Sequence, residues 1–231
     1  MKECLAQLHT EPYIAEQEWT MDSLPVLIAS ISVPRPVPAT GSVARRIRRF
    51  YQLQARSYLR YCEHWLLPQA KAEYQAALAV SAPLPCFQAT LSYQITYNEG
   101  GLWSLYTQSR EVTRPGHTLL TRHGDTWDLT TGFPAALGTF FSPHTHWKRH
   151  LLSVAAQEIQ RQESAGISAY HSHWHSALRR YFNARNFYLT TDGLTFFFPM
   201  YTIAPAVEGI PAFLIPYDDP NLSASRRFST S

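Results

Sequence analysis

Residues 186–217 read NFYLTTDGLTFFFPMYTIAPAVEGIPAFLIPY, and this stretch decides the fold. Two short runs of apolar and aromatic residues flank the loop 190–193. Aromatic residues suit a pleated, half-buried surface. Asp-Gly between two such runs is typical of a β-hairpin, because glycine adopts positive φ at little steric cost. The stretch therefore predicts a hairpin with Gly193 at positive φ in its turn and with Phe187 and Phe197 mostly buried.

The prolines after the hairpin shape the next part of the chain. Pro199, Pro205 and Pro211 lack the backbone N–H that a ladder hydrogen bond requires. They predict an ordered loop, followed by a last short strand at 212–215. Two interpretations of this loop remain open. Either its apolar side chains pack it onto the sheet, or Pro199, Tyr201 and Pro205 form a binding surface, because rigid, amphipathic residues lose little entropy on binding.

Two upstream segments carry a similar pattern of strands and turns. Residues 93–118 read YQITYNEGGLWSLYTQSREVTRPGHT, a strand–turn–strand pattern. Residues 125–141 read DTWDLTTGFPAALGTFF, an Asp-Leu-x-Thr-Gly turn followed by a short predicted helix. Together with 187–217, these segments resemble the RsiV-like domain family. The resemblance extends over about 28–217.

The resemblance implies a class of function. Members of the RsiV-like family include a lysozyme-sensing anti-sigma factor and the non-catalytic N-terminal part of a peptidoglycan deacetylase. It therefore implies a bacterial, non-enzymatic binding or sensing module whose ligand is a protein or a cell-wall glycan.

The order of the elements predicts an α+β fold, in which three to four helices pack against a mainly antiparallel sheet. We expect two intimately associated subdomains. The N-terminal one would comprise 12–115, with strands, a long helix and a hairpin, and the C-terminal, RsiV-like one would comprise 116–217. The polar, serine-rich segment 218–231 predicts a flexible tail.

Local patterns predict the elements of the second half in more detail. Short apolar runs predict strands at 118–122 and 126–129, joined by a turn at His123-Gly124-Asp125. Apolar residues at helical spacing predict helices over 142–164 and 167–182.

Composition limits the classes of partner and compartment. The chain has 231 residues and a hydrophobic content of 45%, which is enough for a sizeable core. Its net charge of +3 gives no reason to expect a nucleic-acid partner. Residues 1–20 lack a signal-peptide pattern, and no apolar segment approaches the ~20 residues of a membrane span. We expect a soluble, cytoplasmic protein, or an extracytoplasmic one if a leader has been removed.

Cysteine usage gives little support for a disulfide framework. Cys4, Cys62 and Cys86 are odd in number and form no C-x-x-C pair. Reduced, partly buried thiols are therefore the favoured interpretation.

The histidine pattern is the strongest candidate for a metal site in this sequence. His171, His173 and His175 alternate in HSHWH, and in a helix His171 and His175 would share a face. A zinc site needs a further ligand, which the histidines within 144–150 could supply. A solvated helix face is the favoured interpretation, so neither a metal nor a cofactor is predicted.

Sequence signatures of catalysis are absent. The chain contains no G-x-S-x-G, no Walker loop and no G-x-G-x-x-G. No catalytic residue is predicted, and a binding or sensing module is the favoured function. A metal-dependent hydrolase built on His171 and His175, or a structural protein without a site, are the alternatives. The sequence leaves the oligomeric state open.

Overall fold

The computed structural model describes residues 7–114 and 116–223, which contain nine strands and four α-helices. The predicted α+β fold is confirmed. The strands are β1 (Thr10–Met21), β2 (Leu24–Pro36), β3 (Phe87–Glu99), β4 (Leu102–Arg114), β5 (His117–Asp128), β6 (Phe133–Pro134), β7 (Phe187–Leu189), β8 (Gly193–Phe197) and β9 (Ala212–Pro216). The helices are α1 (Gly41–Tyr61), α2 (Leu67–Ala79), α3 (Trp147–Ser164) and α4 (Trp174–Tyr181).

The strands form two sheets. The first has the order β1-β2-β3-β4-β5-β6 and the second the order β7-β8-β9. Strands β1 and β2 form an antiparallel hairpin, whereas β2 and β3 pair in parallel from Leu27–Phe87 to Ile31–Leu91. Parallel neighbours need a crossover connection, and α1 and α2 supply it.

The chain divides into two compact units, each made of separate segments. One contains His9–Tyr93 and Thr107–Leu120, and the other contains the described residues up to Leu8, Gln94–Tyr106 and the described residues from Thr121 onward. Strands β3, β4 and β5 contribute residues to both units. The predicted subdomains 12–115 and 116–217 are single stretches of sequence, whereas each unit combines separate segments. The two sets of boundaries describe different divisions of the chain, and the predicted subdomains stay a prediction.

The unit that begins at His9 has its core between the two N-terminal helices and the sheet. A π-helical turn, Cys62–Leu66, joins α1 to α2 without a break in the helical backbone. Its buried cluster lies on α1, this turn, α2, β2 and β3, and consists of Val26, Leu27, Ala29, Cys62, Leu66, Ala70, Tyr74, Phe87 and Ala89.

The other unit is built around the hairpin of β7 and β8. Its core combines the hairpin with buried side chains of α3, α4 and β9. Phe187 lies opposite Phe196 in the antiparallel register. Phe187 and Phe197 are both buried, which confirms the predicted hairpin and its apolar content.

The turn of this hairpin differs from the prediction. Gly193 is the first residue of β8 and does not have positive φ. Instead, the hydroxyl oxygen of Thr190 accepts hydrogen bonds from the backbone N–H groups of Asp192 (3.3 Å) and Gly193 (3.2 Å). A Cβ atom on Gly193 would lie 2.1 Å from the carbonyl oxygen of Ile215. Glycine is therefore required here by the close approach of β9.

The predicted turn at His123-Gly124-Asp125 is wrong, because β5 runs through it without interruption. A Cβ atom on Gly124 would lie 1.9 Å from the carbonyl oxygen of Phe187. Glycine inside a strand often marks such a close approach of another backbone. Gly124 thus brings β5 against β7 rather than reversing the chain.

Both predicted helices of the second half are shorter in the structure. Helix α3 begins at Trp147 rather than near 142, and His144 before it has a φ of 69°, outside the helical region. The predicted helix 167–182 shrinks to α4, which begins at Trp174. The backbone N–H of His171 donates to the carbonyl of Ile203 (3.0 Å), so a tertiary hydrogen bond replaces a helical one.

Residues 218–223 belong to the predicted tail, but they contact the body of the unit. Ser142 N–H donates to the carbonyl of Asn221, and Ser223 N–H donates to that of Phe140, both at 2.9 Å. Leu222 is buried. The rest of the predicted tail, 224–231, lies outside the described residues.

No helix in the described part of the chain has the length and apolar character needed to cross a bilayer.

Candidate functional site

The loop between β8 and β9 is held in place by its own hydrogen bonds and by a buried anchor. Thr202 donates its backbone N–H and its hydroxyl to the carbonyl of Pro199, at 3.3 and 2.6 Å. Ile203 is fully buried, and its carbonyl accepts the hydrogen bond from His171. The loop is therefore ordered without being a strand, as the prolines predicted.

Tyr201 is the side chain that this loop presents. Its exposed fraction is 50%, and its φ is 68°. A left-handed conformation in a non-glycine residue costs about 1–3 kcal/mol, and it persists only where the surroundings impose it. Pro199 is exposed and Pro205 is half-buried, so all three predicted binding residues are accessible.

The sequence left open whether the apolar residues of the loop pack onto the sheet or form a binding surface, and the structure shows some of them buried and others exposed. Ile203 is buried and packs the loop against the core, whereas Val207 has an exposed fraction of 86%. Packing thus accounts for part of the loop, and an exposed surface that includes Tyr201 and Val207 remains.

The far end of the loop is tied to the segment before α4. A carboxylate oxygen of Glu208 accepts the backbone N–H of Ala169 at 2.8 Å. The neighbouring Tyr170 donates its hydroxyl to the side-chain oxygen of Gln162 at 2.7 Å. Burial, and then the charge of Glu208, raise the pKa of Tyr170 to about 12. The Tyr170 hydroxyl therefore stays protonated and donates to Gln162. The hydrogen bond from Ala169 to Glu208 holds this end of the loop in place.

The histidine pattern has a different geometry from the predicted helix face. His171 precedes α4 and is half-buried, whereas His175 lies in the first turn of α4 and is exposed. The rings of His171 and His173 lie parallel, with centroids 5.5 Å apart. Within the described ranges, no three His, Cys, Asp or Glu side chains are grouped so that they could hold a metal ion. His171 lies outside α4, so the prediction that His171 and His175 share a helix face, on which the hydrolase alternative depended, is wrong.

Sequence reasoning missed a groove of about 1380 Å³ between α3 and α4. Its lining combines apolar residues, among them Trp147 and Leu152, with the basic residues Lys148, Arg149 and Arg179. The segment 144–150 contains three histidines, a lysine and an arginine but no acid, which is the signal that could have indicated it.

A second feature missed from the sequence is a buried carboxylate in the unit that begins at His9. Glu111 on β4 is buried and accepts a hydrogen bond from the Tyr61 hydroxyl at 3.0 Å. Burial raises the pKa of Glu111, and this hydrogen bond opposes the rise. Burial and the nearby Glu111 raise the pKa of the free Cys62 thiol to about 12, so this thiol is unreactive.

The raised pKa of Glu111 predicts a specific pH dependence. The folded chain holds this proton more tightly than the unfolded chain, so stability from this group is present below the unfolded pKa and is lost as pH rises through the folded pKa. Glu111→Gln keeps an acceptor for Tyr61 without the charge. We expect the variant to gain stability over the wild type as pH rises from about 4 to about 8, measured by urea denaturation at each pH.

Glu16→Gln, on the exposed β1, is the matched control, because a substitution at an exposed position away from such contacts changes stability little. A difference between Glu111→Gln and the wild type that does not change with pH would contradict the prediction.

Residues 139–218 match a family described as "Protein of unknown function (DUF3298)". The match includes α3, α4, the hairpin and the loop that carries Tyr201, and it covers less than half of the chain. No curated protein matches the chain significantly.

Two solved structures have a similar fold. One is a member of the DUF3298 family from Bacteroides fragilis NCTC 9343, with a TM-score of 0.68 and 18% identity, over 96% of each chain. The other is a DUF3298 family protein from Pseudomonas aeruginosa PAO1, with a TM-score of 0.59 and 16% identity, over 94% of this chain and 95% of that one. At these identities the similarity concerns the fold alone.

Proposed function

We propose that this protein is a non-enzymatic binding or sensing module of the RsiV-like type, and that its ligand is a protein or a cell-wall glycan. The match of 139–218 to DUF3298 supports the proposal, because the RsiV-like family contains this domain. The recognition surface is the loop from Pro199 to Pro211, in which Pro199, Tyr201 and Pro205 are the binding residues and Tyr201 is the main contact.

The observation that carries the proposal is the combination of exposure and fixed backbone at Tyr201. An exposed aromatic ring offers apolar area, and its hydroxyl offers a polar contact. A side chain on an already ordered loop loses less conformational entropy when a partner binds. The hydrogen bonds of Thr202 to Pro199 and the burial of Ile203 supply that order.

Protein and glycan ligands both fit such a surface. Tyrosine is enriched among residues that dominate protein interfaces. The exposed Val207 adds apolar area in the same loop. The exposed residues of this loop therefore suit non-covalent binding of a partner rather than catalysis.

Tyr201→Ala tests the proposal. We expect the substitution to weaken binding by ~1–2 kcal/mol, or about tenfold in Kd, with little change in Tm. Biolayer interferometry with immobilised protein, against a c-type lysozyme and against solubilised peptidoglycan fragments, measures the affinity. The matched control is Tyr13→Ala on β1, another exposed tyrosine, which should bind as the wild type does.

Two results would count against the proposal. If the wild-type protein binds neither lysozyme nor peptidoglycan fragments, the result would contradict both proposed ligand classes. A Tyr201→Ala protein that unfolds, while each remaining folded molecule binds normally, would show that Tyr201 is structural and that the site lies elsewhere.

A further inference from the structure

We propose that the groove between α3 and α4 is a second binding site, and that it takes an acidic, amphipathic helical segment of a partner protein. This surface does not include Tyr201, and the inference does not depend on the function proposed for the loop.

The charge of the groove indicates the charge of its ligand. Lys148 and Arg149 on α3 and Arg179 on α4 are exposed and line it. In residues 7–114 and 116–223, none of these three side chains forms an ion pair with an acid. None of the described residues that line the groove is Asp or Glu.

The two helices strengthen this positive field. Neither α3 nor α4 has an acidic residue in its first turn, and residues of both first turns line the groove. The N-terminal end of a helix carries a partial positive charge. A ligand with several carboxylates therefore has complementary charge, whereas a basic ligand is disfavoured.

Apolar side chains between the basic ones indicate that the ligand also has an apolar face. Leu152 and Ala156 lie one turn apart on α3 and are half-buried. Trp174 and Leu178 lie one turn apart on α4 and line the floor of the groove, but both are buried, so its accessible apolar surface comes mainly from α3. An apolar stripe on one helix beside a second helix can receive the apolar face of a third helix.

The size of the groove favours a peptide over a small molecule. Its volume of about 1380 Å³ exceeds the range of about 300–1,000 Å³ that is usual for small-molecule sites. From Trp147 to Ala156 the lining follows α3 for about 14 Å, which corresponds to between two and three turns of a bound helix. Such a segment would place residues i, i+3, i+4 and i+7 on the groove and carboxylates toward its basic edges.

Selection from a phage-displayed library of random peptides tests the proposal with the full-length protein as bait. The test variant is Arg149→Glu/Arg179→Glu. Its matched control is Arg45→Glu/Arg49→Glu, which changes the net charge equally at two exposed positions on α1. All four positions are exposed, and Tm measured for each variant verifies folding.

We expect the wild type to enrich peptides with net negative charge and apolar residues at helical spacing. Their Kd, measured by fluorescence anisotropy, should rise by about tenfold or more in Arg149→Glu/Arg179→Glu and stay near the wild-type value in the control. Ala156→Trp, which fills the groove without changing its charge, should weaken the same peptides. Tyr201→Ala should bind them as the wild type does.

Each opposite result overturns the proposal. Selection of no peptides, or of peptides without excess carboxylates, would show that the groove is not a site for acidic segments. Equal binding by the two double variants would place the peptides on another surface. If vesicles containing phosphatidylglycerol bind through Arg149 and Arg179 while acidic peptides do not, the ligand is a membrane surface instead.

Discussion

Gly193→Ala is expected to lower the free energy of unfolding by about 3 kcal/mol, measured by chemical denaturation. The added Cβ would lie 2.1 Å from the carbonyl oxygen of Ile215 and 2.9 Å from the Cα of Pro216. Both are backbone atoms of β9, so no rotation of a side chain can relieve the overlap. Strands β8 and β9 must move apart, and their hydrogen bonds weaken.

Gly100→Ala is the control that separates this clash from conformational strain. Gly100 has a φ of 59°, and a Cβ there would meet no atom within 4 Å. Its substitution should cost only about 1 kcal/mol, because the strained backbone is its whole effect. If Gly193→Ala costs no more than Gly100→Ala, close approach is not the reason for glycine at 193.

Gly124→Ala is expected to destabilise by a similar or larger amount, about 3 kcal/mol or more. Here the Cβ would lie 1.9 Å from the carbonyl oxygen of Phe187 and 2.7 Å from its carbonyl carbon. The clash would push β7 away from β5. It would also strain the hydrogen bond from Leu189 N–H to the Ser104 hydroxyl (2.8 Å), which is buried. Chemical denaturation gives the loss, and near-ultraviolet circular dichroism reports the disturbed aromatic packing.

Gly116→Ala provides the comparison for this second glycine. Gly116 immediately precedes β5 and has a φ of 79°, with open space around it. If Gly124→Ala is no less stable than Gly116→Ala, the close approach of β7 is not the reason for glycine at 124.

Close approach of backbones explains why the two glycines were misjudged from the sequence. A glycine next to Asp, as at 192–193, or between His and Asp, as at 123–125, is typical of a turn. Nothing local distinguishes such a glycine from one that accommodates a strand distant in the chain. Phe187 is far from Gly124 in sequence, and their contact exists only in the folded unit.

The sequence by itself determined the features that depend on neighbouring residues. Two apolar, aromatic runs on either side of Asp192-Gly193 specified the hairpin, and the prolines from 199 onward specified an ordered loop without a ladder. The order of the strand and helix patterns specified the α+β class. Each of these follows from local backbone preference and side-chain burial, which a single stretch of sequence expresses.

Only the tertiary structure decided the features that join distant residues. The hydrogen bond of His171 to Ile203 limited α4 to eight residues, and so separated His171 from the helix face of His175. The burial of Ile203 fixed the loop that exposes Tyr201. The basic groove arises because two helices bring their side chains to one surface. Such contacts depend on which elements pack together, and local sequence patterns do not specify that choice.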